Sequence, residues 1–143
     1  MKHTVATILF LILGLASRYL YSSEHLSADE VRKLFTGNTV ESERREYGTT
    51  GTYTVHILNT FAEKSISQFA QDGTLDQQVG NQHKMGKWRV DDNGDLCVQL
   101  EDREEHCAPI VKQDNSYIRV IKNKKGRDLA QIRYLTFTSG TGR

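Results

Sequence analysis

Residues 86–100 run Gly86-Lys87-Trp88-Arg89-Val90-Asp91-Asp92-Asn93-Gly94-Asp95-Leu96-Cys97-Val98-Gln99-Leu100. Two short segments of alternating polarity flank a cluster of turn residues. Trp88 and Val90 share one face of the first segment, with Arg89 pointing away between them, and Leu96 and Val98 share one face of the second. That period of two belongs to strands. Asn-Gly between such runs is a strong hairpin signal, because both central positions of a type I′ turn need positive φ. The stretch is expected to form an antiparallel hairpin, with Trp88 and Val90 in the core and Gly86 at a bend or bulge.

The same pattern continues in both directions. Tyr53, Val55 and Ile57 lie on one face of a strand at 53–57, with Thr54 and His56 on the other. Further strands are predicted at 65–70, 74–79, 85–90, 96–100, 107–111, 117–121 and 129–137. Asp72-Gly73 and Lys124-Lys125-Gly126 supply other turns. Eight short strands joined by short connections must run antiparallel to their neighbours. The expected architecture is a mainly β up-and-down meander, closed into a small barrel or left as a curved sheet.

One helix precedes the strands. Ser27-Ala28-Asp29-Glu30 is a capping box, Leu26 and Val31 are placed as a hydrophobic staple, and Gly37 supplies a stop. The helix spans about residues 28–35, and Val31, Leu34 and Phe35 share a face that packs on, or plugs, the β structure.

The chain has two cysteines. Cys97 and Cys107 flank the charged run Glu101-Asp102-Arg103-Glu104-Glu105, and a hairpin folded about Asp102 sets position 97 opposite 107. That geometry suits a cross-strand disulfide. A redox or metal pair would need C-x-x-C or companion histidines at matching spacing.

The N-terminus reads as a signal peptide over residues 1–22, with cleavage between 16 and 22. Lys2 and His3 open it, residues 5–13 form the apolar stretch, and small residues follow. An uncleaved anchor is the alternative, since residues 5–21 are interrupted only by Arg18. No cysteine follows the apolar run, which excludes a bacterial lipoprotein. Of 143 residues, the remaining 121 form a single domain, residues 23–143, with 17 basic residues against 18 acidic ones. That balance lacks the basic stripe of a nucleic-acid binder. Export predicts a periplasmic or secreted protein in an oxidising compartment, where a disulfide persists.

An ordered set of motifs covers most of the mature chain: residues 26–32, Gly37-Asn38-Thr39-Val40, Phe69-Ala70-Gln71-Asp72-Gly73-Thr74, Gly86-Lys87-Trp88-Arg89-Val90, then Leu96-Cys97 and Cys107. It resembles a family of small exported proteobacterial proteins described as a domain of unknown function. The resemblance implies an exported β-rich domain and no activity. Gly86-Lys87-Trp88 also resembles the G-x-W of lipocalin-like barrels, a group that includes bacterial periplasmic inhibitors of secreted metalloproteases. There the Trp packs across the closed end and the Gly lets another backbone approach.

Chemistry-bearing motifs are sparse. Asp91-Asp92-Asn93-Gly94-Asp95 is rich in oxygen ligands, but the position twelve from Asp91 is Asp102 and a strand intervenes, so a polar turn is expected rather than a calcium loop. Among His3, His25, His56, His83 and His106 no spacing sets two on one helical face; convergence of His56, His83 and His106 on a barrel would be needed for a metal site. There is no G-x-S-x-G elbow, and Gly48-Thr49-Thr50-Gly51 is not followed by Gly-Lys-Ser/Thr. The 101–105 acidic run reads as a solvated hairpin tip. Lys122, Lys124, Lys125 and Arg127 form a basic turn, near Lys112 and Arg119 in sequence, that could touch an anionic lipid or polysaccharide surface. More often such a run is a loop that discourages edge pairing.

These readings give no catalytic, metal or cofactor-binding residue. The expected role is a monomeric, non-enzymatic exported β-domain that binds a protein or small-molecule partner in the cell envelope, with no nucleic acid and with membrane contact only through an uncleaved signal segment. A lipocalin-like protease inhibitor, which needs residues 23–25 extended and free, is the first alternative. An enzyme with its site inside the barrel is the second. The interior discriminates: a polar cavity favours ligand binding or catalysis, and a filled one favours a protein-binding surface.

Overall fold

The computed structural model describes residues 23–50, 53–58 and 62–140. The segment read as a signal peptide lies outside the described residues, and so do the side chains of Tyr53, Val55, His56 and Ile57. The elements in chain order are β1 (Glu24–His25), α1 (Ala28–Phe35), β2 (Asn38–Thr50), β3 (Tyr53–Leu58), β4 (Glu63–Phe69), β5 (Thr74–Val79), β6 (Gln82–Val90), β7 (Leu96–Leu100), β8 (His106–Ala108), β9 (Val111–Gln113), β10 (Ser116–Lys122) and β11 (Asp128–Ser139). No helix among the described residues is long and apolar enough to cross a membrane.

All strand pairs are antiparallel, in the order β1-β9-β10-β11-β2-β4-β5-β6-β7-β8, with β3 paired to the far end of β2. From β9 to β11 and from β4 to β8 neighbours are sequential, β11 returns to β2 beside β4, and β1 is added outside β9, which is largely up-and-down order in a half-barrel. The ladder is interrupted between β8 and β9. Only Pro109 and Ile110 join those strands, a link that spans at most about 11 Å, so β8, the last strand of the order, stays close to β10 without a ladder between them. Across this seam Arg119 Nη2 on β10 donates to the His106 carbonyl on β8 at 2.5 Å, a side chain standing where a ladder bond is missing.

Two strand expectations need correction. β2 was not among the eight, yet it is central, pairing with β11 along Asn38 to Glu46 and with β4 along Asn38 to Arg44. Its sequence hides it, because Ser42 and Arg44 line the inside while Glu43 and Arg45 face outward, so no apolar alternation survives. Backbone bonds on both sides hold it instead. The strand expected at 107–111 is divided, since Pro109 has no N–H to give to a ladder, and β8 ends before it.

The turns sit where expected but differ in type. Only Gly94 of the 91–95 turn has positive φ, +88°, so it is not type I′. Asp91 N–H donates to Asp95 O at 3.0 Å and Gly94 N–H to Asp91 O at 3.1 Å, the three-residue loop of a type I turn followed by a left-handed glycine. The 70–74 and 123–127 turns repeat those bonds, around Gly73 and Gly126.

Helix α1 closes one end of the sheet. Both halves of the capping box form: Glu30 N–H donates to Ser27 Oγ at 3.4 Å, and Ser27 N–H to Glu30 Oε2 at 2.8 Å. Val31 and Phe35 are fully buried, and the Phe35 ring meets Phe69, Tyr134 and Phe137 edge-on at 4.9–5.4 Å. Trp88 joins this cluster through Phe69 and donates Nε1–H to the Ala70 carbonyl at 2.9 Å. Ser27→Ala should cost about 1 kcal/mol, read as a lowered urea midpoint with an unchanged slope.

Gly86 is not at a bulge. The β5–β6 and β6–β7 registers run through it without a shift. It is a close approach, since a Cβ there would lie 2.2 Å from the Gln99 carbonyl oxygen.

Candidate functional site: the concave face of the sheet

Because strand side chains alternate, every second residue of the curled sheet points to its concave side. Near α1 those positions are large and apolar: Val40, Phe69, Leu75, Trp88 and Leu96. Toward the other end the registers set Ser42 opposite Ser65, Arg44 opposite Glu63, Ser67 beside Gln77 and Gln77 opposite Lys84. The interior therefore changes from apolar to polar along its axis. At this second end lies a cavity of about 270 Å³, with Phe69, Leu75 and Tyr134 at its apolar end and Arg103, Glu104 and Leu129 also in its wall.

The hydroxyls in the wall are mutually satisfied. Ser42 Oγ and Ser65 Oγ are 2.9 Å apart, and Gln77 Nε2 donates to Ser67 Oγ at 3.2 Å. Among the described residues no hydrogen bond links one of these hydroxyls to the His106 side chain, so the wall holds no serine–histidine pair of the kind nucleophilic catalysis uses. Val98, Leu100, Ile121 and Ile132 supply apolar surface between the polar groups. Four cationic side chains, Arg44, Lys84, Arg103 and Arg119, face it against two acidic ones, Glu63 and Glu104. Lys84 is paired with Asp102 at 3.0 Å, and that hydrogen bond holds the Asp102 carboxyl below the usual range.

Arg119 is 3% exposed, and its Nε donor finds no acceptor. Sequence reasoning grouped it with the basic turn. The signal that separates it is parity: Tyr117, Arg119 and Ile121 alternate on one face, and the register sets them opposite Tyr134, Ile132 and Ala130. Ser42, Ser65, Ser67 and Gln77 were also missed, since serines in a strand carry no distinguishing pattern.

The residues singled out from sequence lie elsewhere. Cys97 and Cys107 face each other across the β7–β8 ladder and are bonded, with an S–S distance of 2.00 Å. Such a bond suits an oxidising compartment. Asp91 lies beside the two sulfurs, but bonded half-cystines are not thiolate ligands, and Asp91 Oδ1 accepts from the N–H groups of Asn93 and Asp95 at 2.9 Å each. His83 pairs with Asp76 at 3.4 Å on the surface, while His106 lines the cavity, so these two are not brought into one cluster. Lys122 is ion-paired to Asp128, and Lys124 reaches Glu104 at 3.6 Å, which brings the basic 122–127 tip against the 101–105 tip at the cavity mouth. Lys125 and Arg127 are exposed. Residues 24–25 are extended but not free, for Glu24 and His25 pair with Lys112 and Val111 of β9. The condition set for a protease-inhibiting N-terminal segment is therefore not met.

No family model, curated protein or solved structure matches the chain.

Beside the disulfide, Arg89 donates to both oxygens of Glu105, at 3.0 and 2.6 Å, and this holds the Glu105 carboxyl below the usual range. A depressed carboxylate adds stability that is present above its unfolded pKa and is lost as pH falls through the folded one. Both groups are partly exposed, so the effect is small. Arg89→Ala should lower stability at neutral pH and converge with wild type below about pH 3 in an acid series of thermal melts.

Proposed function

We propose that the protein is a non-enzymatic small-molecule-binding domain of the cell envelope, which holds its ligand in the concave cavity at the end of the sheet opposite α1. The observation that carries this is the cavity itself, about 270 Å³ between polar and apolar walls, just under the range common for ligand pockets. A protein-binding surface would more naturally go with a filled interior. The hydroxyls bonded to one another, rather than to a base, favour holding a molecule over transforming one.

Export rests on the apolar N-terminal stretch and on the resemblance to exported β-rich proteins, and the disulfide agrees with it. The basic 122–127 turn at the cavity mouth would then face an anionic envelope surface or the ligand's path. The test is native mass spectrometry of the full chain expressed with its own N-terminus and recovered from the export compartment. A bound mass that denaturation releases is the expected result. The reading falls if the protein carries no such mass and no member of a small-molecule panel raises its melting temperature.

A further inference from the structure

The cavity contains a charge without a counter-charge. Arg119 is 97% shielded from solvent by its 3% exposure, and a guanidinium in a protein cannot shed its proton to escape that burial. Its one hydrogen bond goes to a neutral acceptor, the His106 carbonyl, and its Nε–H is unsatisfied. No carboxylate among the described residues is ion-paired with it; the Asp95 carboxyl senses its charge, but no hydrogen bond or ion pair joins the two. Bridging the β8–β10 seam does not require a cation, since a neutral amide could donate to one carbonyl. A buried unpaired charge is costly, and it persists most readily where a partner completes it.

We propose that the ligand is a small carboxylate with an apolar body, and that its carboxylate is received by Arg119; this rests on the cavity reading above. A guanidinium offers a planar fork of N–H donors that matches a carboxylate. One buried positive charge offsets one negative charge, which favours a carboxylate monoanion over a phosphate dianion. Val98, Ile121 and Ile132 around Arg119 suit an apolar body.

The experiment compares octanoate with 1-octanol by calorimetric titration on the wild type, on Arg119→Met and on Arg119→Lys, with a melting curve for each protein. Wild type should bind octanoate about tenfold or more tighter than octanol, as expected for a charge-assisted hydrogen bond. Arg119→Met should lose that preference while keeping octanol binding, and should melt no lower than wild type, because an apolar replacement removes the uncompensated charge. Arg119→Lys should keep a reduced preference. Equal binding of the two probes by wild type overturns the inference and leaves the cavity reading standing. Binding of neither probe also overturns the inference, while the cavity reading is decided separately by the bound mass and the small-molecule panel. The wild-type comparison stands even if a variant fails to fold.

Discussion

Gly86→Ala is expected to destabilise the domain by about 3 kcal/mol or more, because its Cβ position is the most crowded of Gly37, Gly73, Gly80, Gly86, Gly94, Gly126 and Gly140. Three backbone atoms of β7 would crowd it: the Gln99 carbonyl oxygen at 2.2 Å, the Gln99 carbonyl carbon at 3.1 Å and Leu100 Cα at 3.1 Å. A flexible side chain could swing aside, but these atoms cannot. They are fixed by the β6–β7 ladder from Gly86↔Leu100 to Val90↔Leu96 and by Glu101 N–H donating to Met85 O at 3.0 Å. Relief therefore requires the strands to part along one wall of the cavity. The physical origin is curvature: on the inside of a curled sheet side chains converge, and Gly86 sits in the row Leu75–Gly86–Leu100 between two large neighbours. Gly80→Ala is the control. Gly80 has φ +57° and open space around its Cβ position, so that change carries only backbone strain, about 1–2 kcal/mol. Urea unfolding of both variants decides the matter. A Gly86→Ala loss no greater than that of Gly80→Ala would show that the strands accommodate the methyl group and that the close approach is not a constraint.

What was legible in the sequence is what depends on neighbours along the chain. The capping box needs only Ser27 and Glu30, and the helix begins and ends where those residues and Gly37 set it. The three glycine-centred turns were locatable because Asp72-Gly73, Asn93-Gly94 and Lys125-Gly126 carry their own conformational demand. Their type was not, since a type I turn with a left-handed glycine and a type I′ turn both accept Asn-Gly. Position 97 opposite 107 followed from symmetry about Asp102. What failed depends on distant partners. β2 is held by β4 and β11, the latter about ninety residues away along the chain, and its charged sequence gives no sign of either. The cavity was out of reach for the same reason, since its wall is assembled from eight strands. Arg119 shows the limit most sharply: beside Lys122 in sequence it reads as surface charge, and only the opposed residues Ile132 and Ala130 of the next strand reveal that its face is the inside.

Replacing both cysteines, as Cys97→Ala with Cys107→Ala, is expected to cost about 2–3 kcal/mol through the loss of a closed loop of ten residues in the unfolded chain. For a domain of this size that corresponds to a melting temperature lower by about 10 °C. The location of the bond adds a second, local consequence. β8 contributes only three pairs to its ladder with β7, Leu96↔Ala108, Cys97↔Cys107 and Val98↔His106, and the disulfide lies at the middle one. On its other side β8 has no ladder partner in the sheet order, only the bond that His106 receives from Arg119. Without the disulfide, β8 should open before the rest of the sheet, and the wall that carries His106 and Arg119 would open with it. Amide hydrogen exchange separates the two consequences. Protection in β8 should fall further than in β4 and β5, whose ladders do not involve the bond, while the central strand β2 keeps exchange set by global unfolding. A uniform loss across all strands would mean that the disulfide acts on the unfolded chain alone and that the seam is held by other contacts. Reduction of the wild type should reproduce the double variant, tying the integrity of the cavity to an oxidising compartment.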